Sequence, residues 1–315
     1  MHPAVEVVSV VSSTSAGKRV AEVLPAFARV TDLCFEPFDP AESAQRCDVV
    51  FVAVPSKESM VPVRELRRVG VRVIDLGPDF RLKDVNAFRA YYKTEHIAPE
   101  LLSEVVYGLP PFYRDALRTA SLVAVPGCYP VTVILALRPL LSAPLEPIPV
   151  VVNSISGVSG AGRTLNEVYH FPEMNENVRA YRLAVHQHIP EMEQELGHAL
   201  QVQFTPHVGP YTRGILSTIV VRMKELFDPQ PYYNAYASEP FVRVFPEGTI
   251  PDLRQVRGSN FCDLGWVRDD RTGNLLIVSA IDNLIGGTAG LALQCFNLMF
   301  DIEETVGLRM GGITP

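Results

Sequence analysis

The chain has 315 residues, 47% of them apolar and 20% charged, with a formal net charge of −7. That length allows one large or two ordinary domains. The acidic balance, with no basic patch interleaved with aromatics, argues against nucleic acid as a partner. The longest apolar runs, such as Leu122–Val125 and Val131–Leu137, fall far short of the roughly 20 residues a membrane span needs. No secretory leader is read at the N-terminus. The five cysteines, Cys34, Cys47, Cys128, Cys262 and Cys295, are scattered without C-x-x-C spacing. A disulfide framework or zinc site is therefore not expected, and a reducing, cytoplasmic setting is. His186 and His188 form a close pair without acidic neighbours at metal spacing, so no metal is expected either.

In chain order, Val5–Val11 is a β-branched run closed by Ser12-Ser13-Thr14-Ser15, and Lys18–Phe27 suits a short helix. Asp48–Val54 is continuously apolar, as expected of a strand buried on both faces of a parallel sheet. Val61–Val69 has helical spacing, and Val71–Leu76 and Ala120–Val125 read as further strands. This alternation predicts an N-terminal α/β, Rossmann-like doubly wound domain. After Cys128 the pattern changes. Residues 146–156, 201–223 and 274–281 are β-rich, separated by a glycine-rich loop, a helix starting near Pro190 and a long loop around Asp228–Pro251. That predicts an α+β domain with a mostly antiparallel sheet. The tail from Gly287 to Val306 reads as helical, with Leu291, Leu293, Phe296, Leu298 and Met299 available for burial. The expected division is 1–127 for the first domain, completed by a C-terminal helix within 284–315, and 128–283 for the second.

Four places carry candidate chemistry. Cys128 follows Pro126-Gly127 and opens an apolar helix, so its thiol would sit by backbone N–H groups that lower a thiol pKa and can hold an oxyanion. A buried structural cysteine is the alternative. His186-Gln187-His188 precedes "IPEMEQEL", and residues two apart on extended backbone point the same way. Both imidazoles could then face one cavity as base and acid for Cys128, or could be solvated loop residues. "SISGVSGAGR", Ser154–Arg163, reads better as a tight loop lining a site than as a dinucleotide phosphate loop, with Ser159 and Gly160 allowing close backbone approach. Arg81 and Arg213 could each grip a carboxylate or phosphate, with Asp79 the natural structural partner of Arg81.

With those residues assembled, the chain resembles N-acetyl-γ-glutamyl-phosphate reductase of arginine biosynthesis, in the aspartate-semialdehyde dehydrogenase superfamily. The matching stretches are "PGCYP", "SGVSGAGR", "HQHIPEMEQEL", "FTPHVGPYTRGILST", "VRGSNFCD" and "SAIDNL", with "DLGPDFRLKD" and "APELLSEVVYGLP" upstream. The resemblance implies an NADP(H)-dependent oxidoreductase acting on a small acyl phosphate. Cys128 matches the nucleophile and His186 and His188 the imidazole region, with the choice of main base left open. Arg81 and Arg213 fall in segments near the substrate, and Ser159, Gly160 and Asn283 in segments near the nicotinamide. A homodimer or homotetramer is implied.

The sequence also departs from the family. No G-x-x-G-x-x-G turn precedes Val5–Val11, which matches the family's second strand. A misplaced start or a real deletion of one strand, one glycine loop and one helix is therefore expected. The lost strand would be central, leaving its two neighbours to close up or stand unpaired. Where an acidic residue would mark NAD, Ser12, Ser13 and Lys18 suit the extra phosphate of NADP. Val125 stands for a usual Asn, Gln187 for Arg, Gly286 for Lys and Leu291 for Gln. The carrier-protein route of lysine biosynthesis and a non-catalytic relative are the other readings.

Overall fold

Short apolar runs pair in register into three sheets. The computed structural model describes residues 2–162 and 165–313. In the first half, strands β1 (Val10–Val11) and β2 (Phe35–Glu36) form a small parallel ribbon around helix α1 (Val20–Val23). Helix α2 (Pro40–Arg46) leads to β3 (Val49–Val52), α3 (Met60–Arg68), β4 (Arg72–Asp75), α4 (Val85–Tyr92), β5 (Val105–Tyr107), α5 (Pro110–Arg118) and β6 (Leu122–Ala124). Strands β3 to β6 make a four-stranded parallel sheet in the order β3-β4-β6-β5. Asp39 caps α2 by accepting the N–H of Ala41 and Glu42, and Asp84 caps α4 through the N–H of Asn86, each satisfying first-turn donors.

The expectation of full burial for Asp48–Val54 is corrected. β3 is the outer strand of its sheet, and Phe51 is 40% exposed. Nor do the flanking strands close up: β1 pairs with β2, β3 with β4, and β1 is shorter than the run Val5–Val11.

The second half is built on helix α6 (Cys128–Leu137), apolar on every side and buried from Tyr129 onward, as a helix enclosed by protein must be. Its C-terminal carbonyls at Leu135 and Ala136 accept the hydroxyls of Tyr236 and Tyr233, each at 2.8 Å. It lies against a seven-stranded sheet of β7 (Val150–Gly157), β8 (Arg179–Ala180), β9 (Val202–Gly209), β10 (Ile215–Arg222), β11 (Val242–Val244), β12 (Cys262–Asp269) and β13 (Asn274–Ile281). The order is β11-β12-β13-β10-β7-β9-β8, antiparallel except for β11–β12 and β7–β9. Helices α7 (Phe171–Met174), α8 (Ile189–Glu195) and α9 (Gln230–Tyr233) decorate it. The tail is helical over a shorter span than expected: a wide turn at Ile285–Ala289 leads into α10 (Gly290–Met299). That helix returns to the first half, where Met299 accepts an N–H from Arg72 and Phe296 meets Phe51.

Candidate active site

Cys128 is the first residue of α6, and Gly127 is its N-cap in extended conformation. The first-turn N–H groups of a helix have no partner within it; here those of Cys128 and Tyr129 serve the sulfur. The expected low pKa is nevertheless corrected. Part of the residue surface faces solvent, but burial around the sulfur dominates and pushes the thiol up to about 11, against the pull of Arg81 and the Tyr129 N–H.

Gly127 is where the other groups converge. A methyl group added there would lie 2.5 Å from His188 Nε2 and 2.9 Å from Arg81 Nη1. His188 stands at the N-cap of α8, and its backbone N–H donates to His186 Nδ1 at 3.1 Å. The two rings meet edge-on at 4.7 Å. The imidazoles therefore share one buried pocket, with His188 beside the nucleophile's turn and His186 behind it against Tyr129, Tyr181 and Phe204. Burial, reinforced by Arg182, lowers His186 to about 3. Burial, then His186 and Arg81, holds His188 well below the usual imidazole range. Both are neutral at physiological pH.

Arg81 is buried, donating to the carbonyls of Val125 at 2.7 Å and Leu76 at 3.0 Å. Its ion-pair partner is Glu191, at 3.6 Å. Asp79, the partner expected from sequence, instead accepts from the N–H of Lys57 and Ser59 and from the Ser59 hydroxyl. Arg213 is more open, its guanidinium 3.6 Å from buried Asp282.

Asn283 ties two loops together. Its amide donates to Ser159 Oγ at 3.0 Å and its carbonyl oxygen accepts the Gly214 N–H at 2.6 Å. Ser159 and Gly160 lie in the turn Val158–Ala161; Arg163, in the same motif, lies outside the described residues. Asp282 accepts the N–H groups of Gly258, Leu284 and Ile285, which fixes the wide turn so that Gly287 passes over Cys128. A methyl group at Gly287 would lie 2.9 Å from Cys128 Cβ. Ser159, Gly160 and Asn283 are thereby joined to the nucleophile's surroundings, and a nicotinamide amide fits a cluster of such donors and acceptors. Ser12, Ser13 and Lys18 form a separate turn after β1. There Ser12 Oγ accepts the Ser15 N–H, and Ser13 and Lys18 face solvent, a chemistry that suits a phosphate. Among the described residues no glycine-rich turn joins β1 to α1.

Sequence reasoning missed Glu191, Tyr107, Asp282 and Gly287. Nothing local marks Glu191 as a buried carboxylate, because its partners lie 64 and 84 residues away.

Family models agree with this layout. "Semialdehyde dehydrogenase, NAD binding domain" matches residues 1–120, and "Semialdehyde dehydrogenase, dimerisation domain" matches 128–283. The N-acetyl-γ-glutamyl-phosphate reductase of Desulforudis audaxviator is 46% identical over 100% of this chain and 93% of its own length. That of Pelotomaculum thermopropionicum is 45% identical with the same coverage. The chain belongs to the N-acetyl-γ-glutamyl-phosphate reductase family. Solved aspartate-semialdehyde dehydrogenases share the fold. The Vibrio cholerae enzyme II complexed with ASA superposes with a TM-score of 0.68 at 16% identity, covering 93% of this chain and 89% of that one. The Candida albicans enzyme with NADP gives 0.69 at 14%, covering 95% and 92%. No helix among the described residues is long and apolar enough to cross a membrane, and no group of three or more metal-ligating side chains occurs among them.

Proposed function

We propose that this chain reduces N-acetyl-γ-glutamyl phosphate to N-acetylglutamate semialdehyde with NADPH, releasing phosphate, through a thioester on Cys128. The observation that carries the reading is the seating of Cys128 at a helix N-terminus, with neutral His188 packed against Gly127, the residue just before it. In this reading His188 takes the thiol proton as Sγ attacks the acyl carbonyl, and returns it to the departing phosphate oxygen. The N–H groups of Cys128 and Tyr129 hold the oxyanion. Bound NADPH supplies the hydride that turns the thioester into a thiohemiacetal. The oxyanion of that adduct reforms the carbonyl as the C–S bond breaks, giving the aldehyde and returning the electron pair to sulfur, which takes up one proton from solvent to restore the thiol. His186 orients His188. Arg213 is the open cation for the substrate's anionic groups, and Arg81, buried and paired with Glu191, places positive charge beside Gly127. Ser159, Gly160 and Asn283 hold the nicotinamide end, and Ser12, Ser13 and Lys18 the ribose phosphate.

The division at residue 127, with the C-terminal helix completing the first domain, is supported by the packing of α10 on Phe51 and Arg72, although Ile313 bonds back to Arg257 of the second half. The partners are a small acyl phosphate and a second copy of the chain, as a homodimer or homotetramer, in the cytoplasm. The segment 165–185 supports self-association: Leu165, Phe171 and Val185 are 92%, 78% and 65% exposed, and β8 within it is the sheet's edge.

The test is phosphate-dependent reduction of NADP⁺ by N-acetylglutamate semialdehyde. A rate abolished by Cys128→Ala, with the fold kept, is expected. A folded wild-type chain with no rate, or a Cys128→Ala rate near wild type, overturns the reading.

A further inference from the structure

Helix α8 is tied to the first domain by a row of polar contacts. Tyr107, which ends β5, donates its hydroxyl to Glu191 Oε1 at 2.8 Å. The same oxygen accepts the Gly127 N–H at 2.8 Å. One turn later Tyr113 donates to Glu195 Oε2 at 2.5 Å. Between them the Gln194 side chain accepts the Lys83 N–H at 2.8 Å and donates to the Arg81 carbonyl at 3.0 Å.

Glu191 is fully buried. A buried carboxylate is costly unless it is paired and hydrogen-bonded, so its place needs a reason. Oε1 has two donors, whereas Oε2 has no hydrogen bond and only Arg81 nearby. The oxygen that is fully satisfied is the one that holds the residue before the nucleophile. Glu191 also lies three residues after His188 on the same short helix. One side chain therefore fixes the turn that presents Cys128 and the helix that presents His188.

We propose that Tyr107 and Glu191 are positioning residues that set the distance between His188 and Cys128 by anchoring the Gly127 N–H, with Tyr107 holding the carboxylate in the rotamer that reaches it. This rests on the function proposed above. Glu191 acts here as a fixed acceptor, and Glu191 Oε1 loses half its donors when the Tyr107 hydroxyl is removed. Tyr113–Glu195 is a parallel contact that does not touch the nucleophile's turn, and so serves as the internal control.

The experiment compares Tyr107→Phe, Tyr113→Phe, Glu191→Gln and Glu191→Leu, each checked for native circular dichroism and melting. Two readouts are used: kcat and KM for the phosphate-dependent reaction, and the rate of Cys128 alkylation by iodoacetamide at pH 9, followed by peptide mass spectrometry. The second needs no substrate, so it tests the anchor even if the substrate is misassigned. Displacement of a reacting group by about 1 Å costs on the order of 100-fold. Tyr107→Phe should therefore lower kcat about tenfold or more with KM nearly unchanged, and shift the alkylation rate, while Tyr113→Phe leaves both within about twofold. Glu191→Gln keeps an acceptor and should retain most of kcat; Glu191→Leu should lose about 100-fold. Unchanged kcat and alkylation in folded Tyr107→Phe and Glu191→Leu overturn the proposal. So does a Glu191→Gln as inactive as Glu191→Leu, which would make the charge, not the anchor, the useful property.

Discussion

Gly127→Ala isolates the contact between the nucleophile's turn and the imidazole. Gly127 has φ −69° and ψ 149°, a conformation open to any L-residue, so backbone strain does not enter. The added methyl lies 2.5 Å from His188 Nε2 and 2.8 Å from Cε1. Normal contact begins at about 3.5 Å, so the ring must retreat about 1 Å. Overpacking of that kind costs about 1–3 kcal/mol, against a typical stability of about 5–15 kcal/mol, so the variant should still fold. Misplacing a catalytic group by about 1 Å costs on the order of 100-fold in rate. Steady-state kcat with a melting curve is the assay. Gly311→Ala is the control, because its added methyl meets nothing within 4 Å. A folded Gly127→Ala chain with kcat within about threefold of wild type would refute the convergence of His188 on this turn.

Three further outcomes follow from the same structure. Phe171→Glu combined with Val185→Glu should lower the mass seen by sedimentation; an unchanged assembly would place the interface elsewhere. Cys128 should alkylate slowly at neutral pH and accelerate toward its raised pKa of about 11, with exposed Cys34 reacting first; a half-maximal rate below pH 8.5 would show that the helix N-terminus outweighs burial. The third concerns stability against pH. His186 has a folded pKa of about 3 and an unfolded value of about 6.5. Its contribution is complete above 6.5 and is lost as pH falls toward 3, at about 1.4 kcal/mol per pH unit. Asp75, which burial raises to about 6, has the opposite sign, since its contribution fades as pH rises through that value. The comparison is therefore with His186→Asn, whose acid slope should be shallower by one proton; an equal slope would mean His186 is not held neutral.

Local pattern was legible where local forces decide. The run Asn274–Ile281 is a strand over the full predicted span, because apolar residues, three of them β-branched, fill six of its eight positions. Pro190 marked the start of α8, since proline suits a first turn. β12 escaped notice because "CDLGWVRD" mixes charge and glycine into a strand buried over its first five residues; Gly265 is needed because the Thr249 carbonyl approaches it. The burial of β3 was misjudged because edge or centre is a property of the sheet, which no single strand encodes. The chemical site divides in the same way. Pro126-Gly127-Cys128 announces a sharp turn into a helix, so the thiol's place was readable. Its pKa was not, because burial around the sulfur outweighs Arg81 and the two N–H groups. Glu191 and Tyr107 are ordinary residues until the fold sets them 2.8 Å apart.

The raised thiol and lowered imidazoles together constrain how the proton moves. If Cys128 sits near 11 and His188 well below 6.5, a resting thiolate–imidazolium pair is disfavoured from both ends. The resting site is then neutral SH beside neutral imidazole, and the proton must pass to His188 as the S–C bond forms rather than before it. An ion pair would show two inflections bracketing neutrality, one for each partner. A neutral pair has none in that interval. The logarithm of kcat/KM should therefore stay flat from about pH 6 to 8, once the ionisation of the acyl phosphate itself is subtracted. An enzyme inflection near 6.5 would mean that His188 titrates as a solvated histidine. That would return Cys128 to the thiolate expected from its helix position alone.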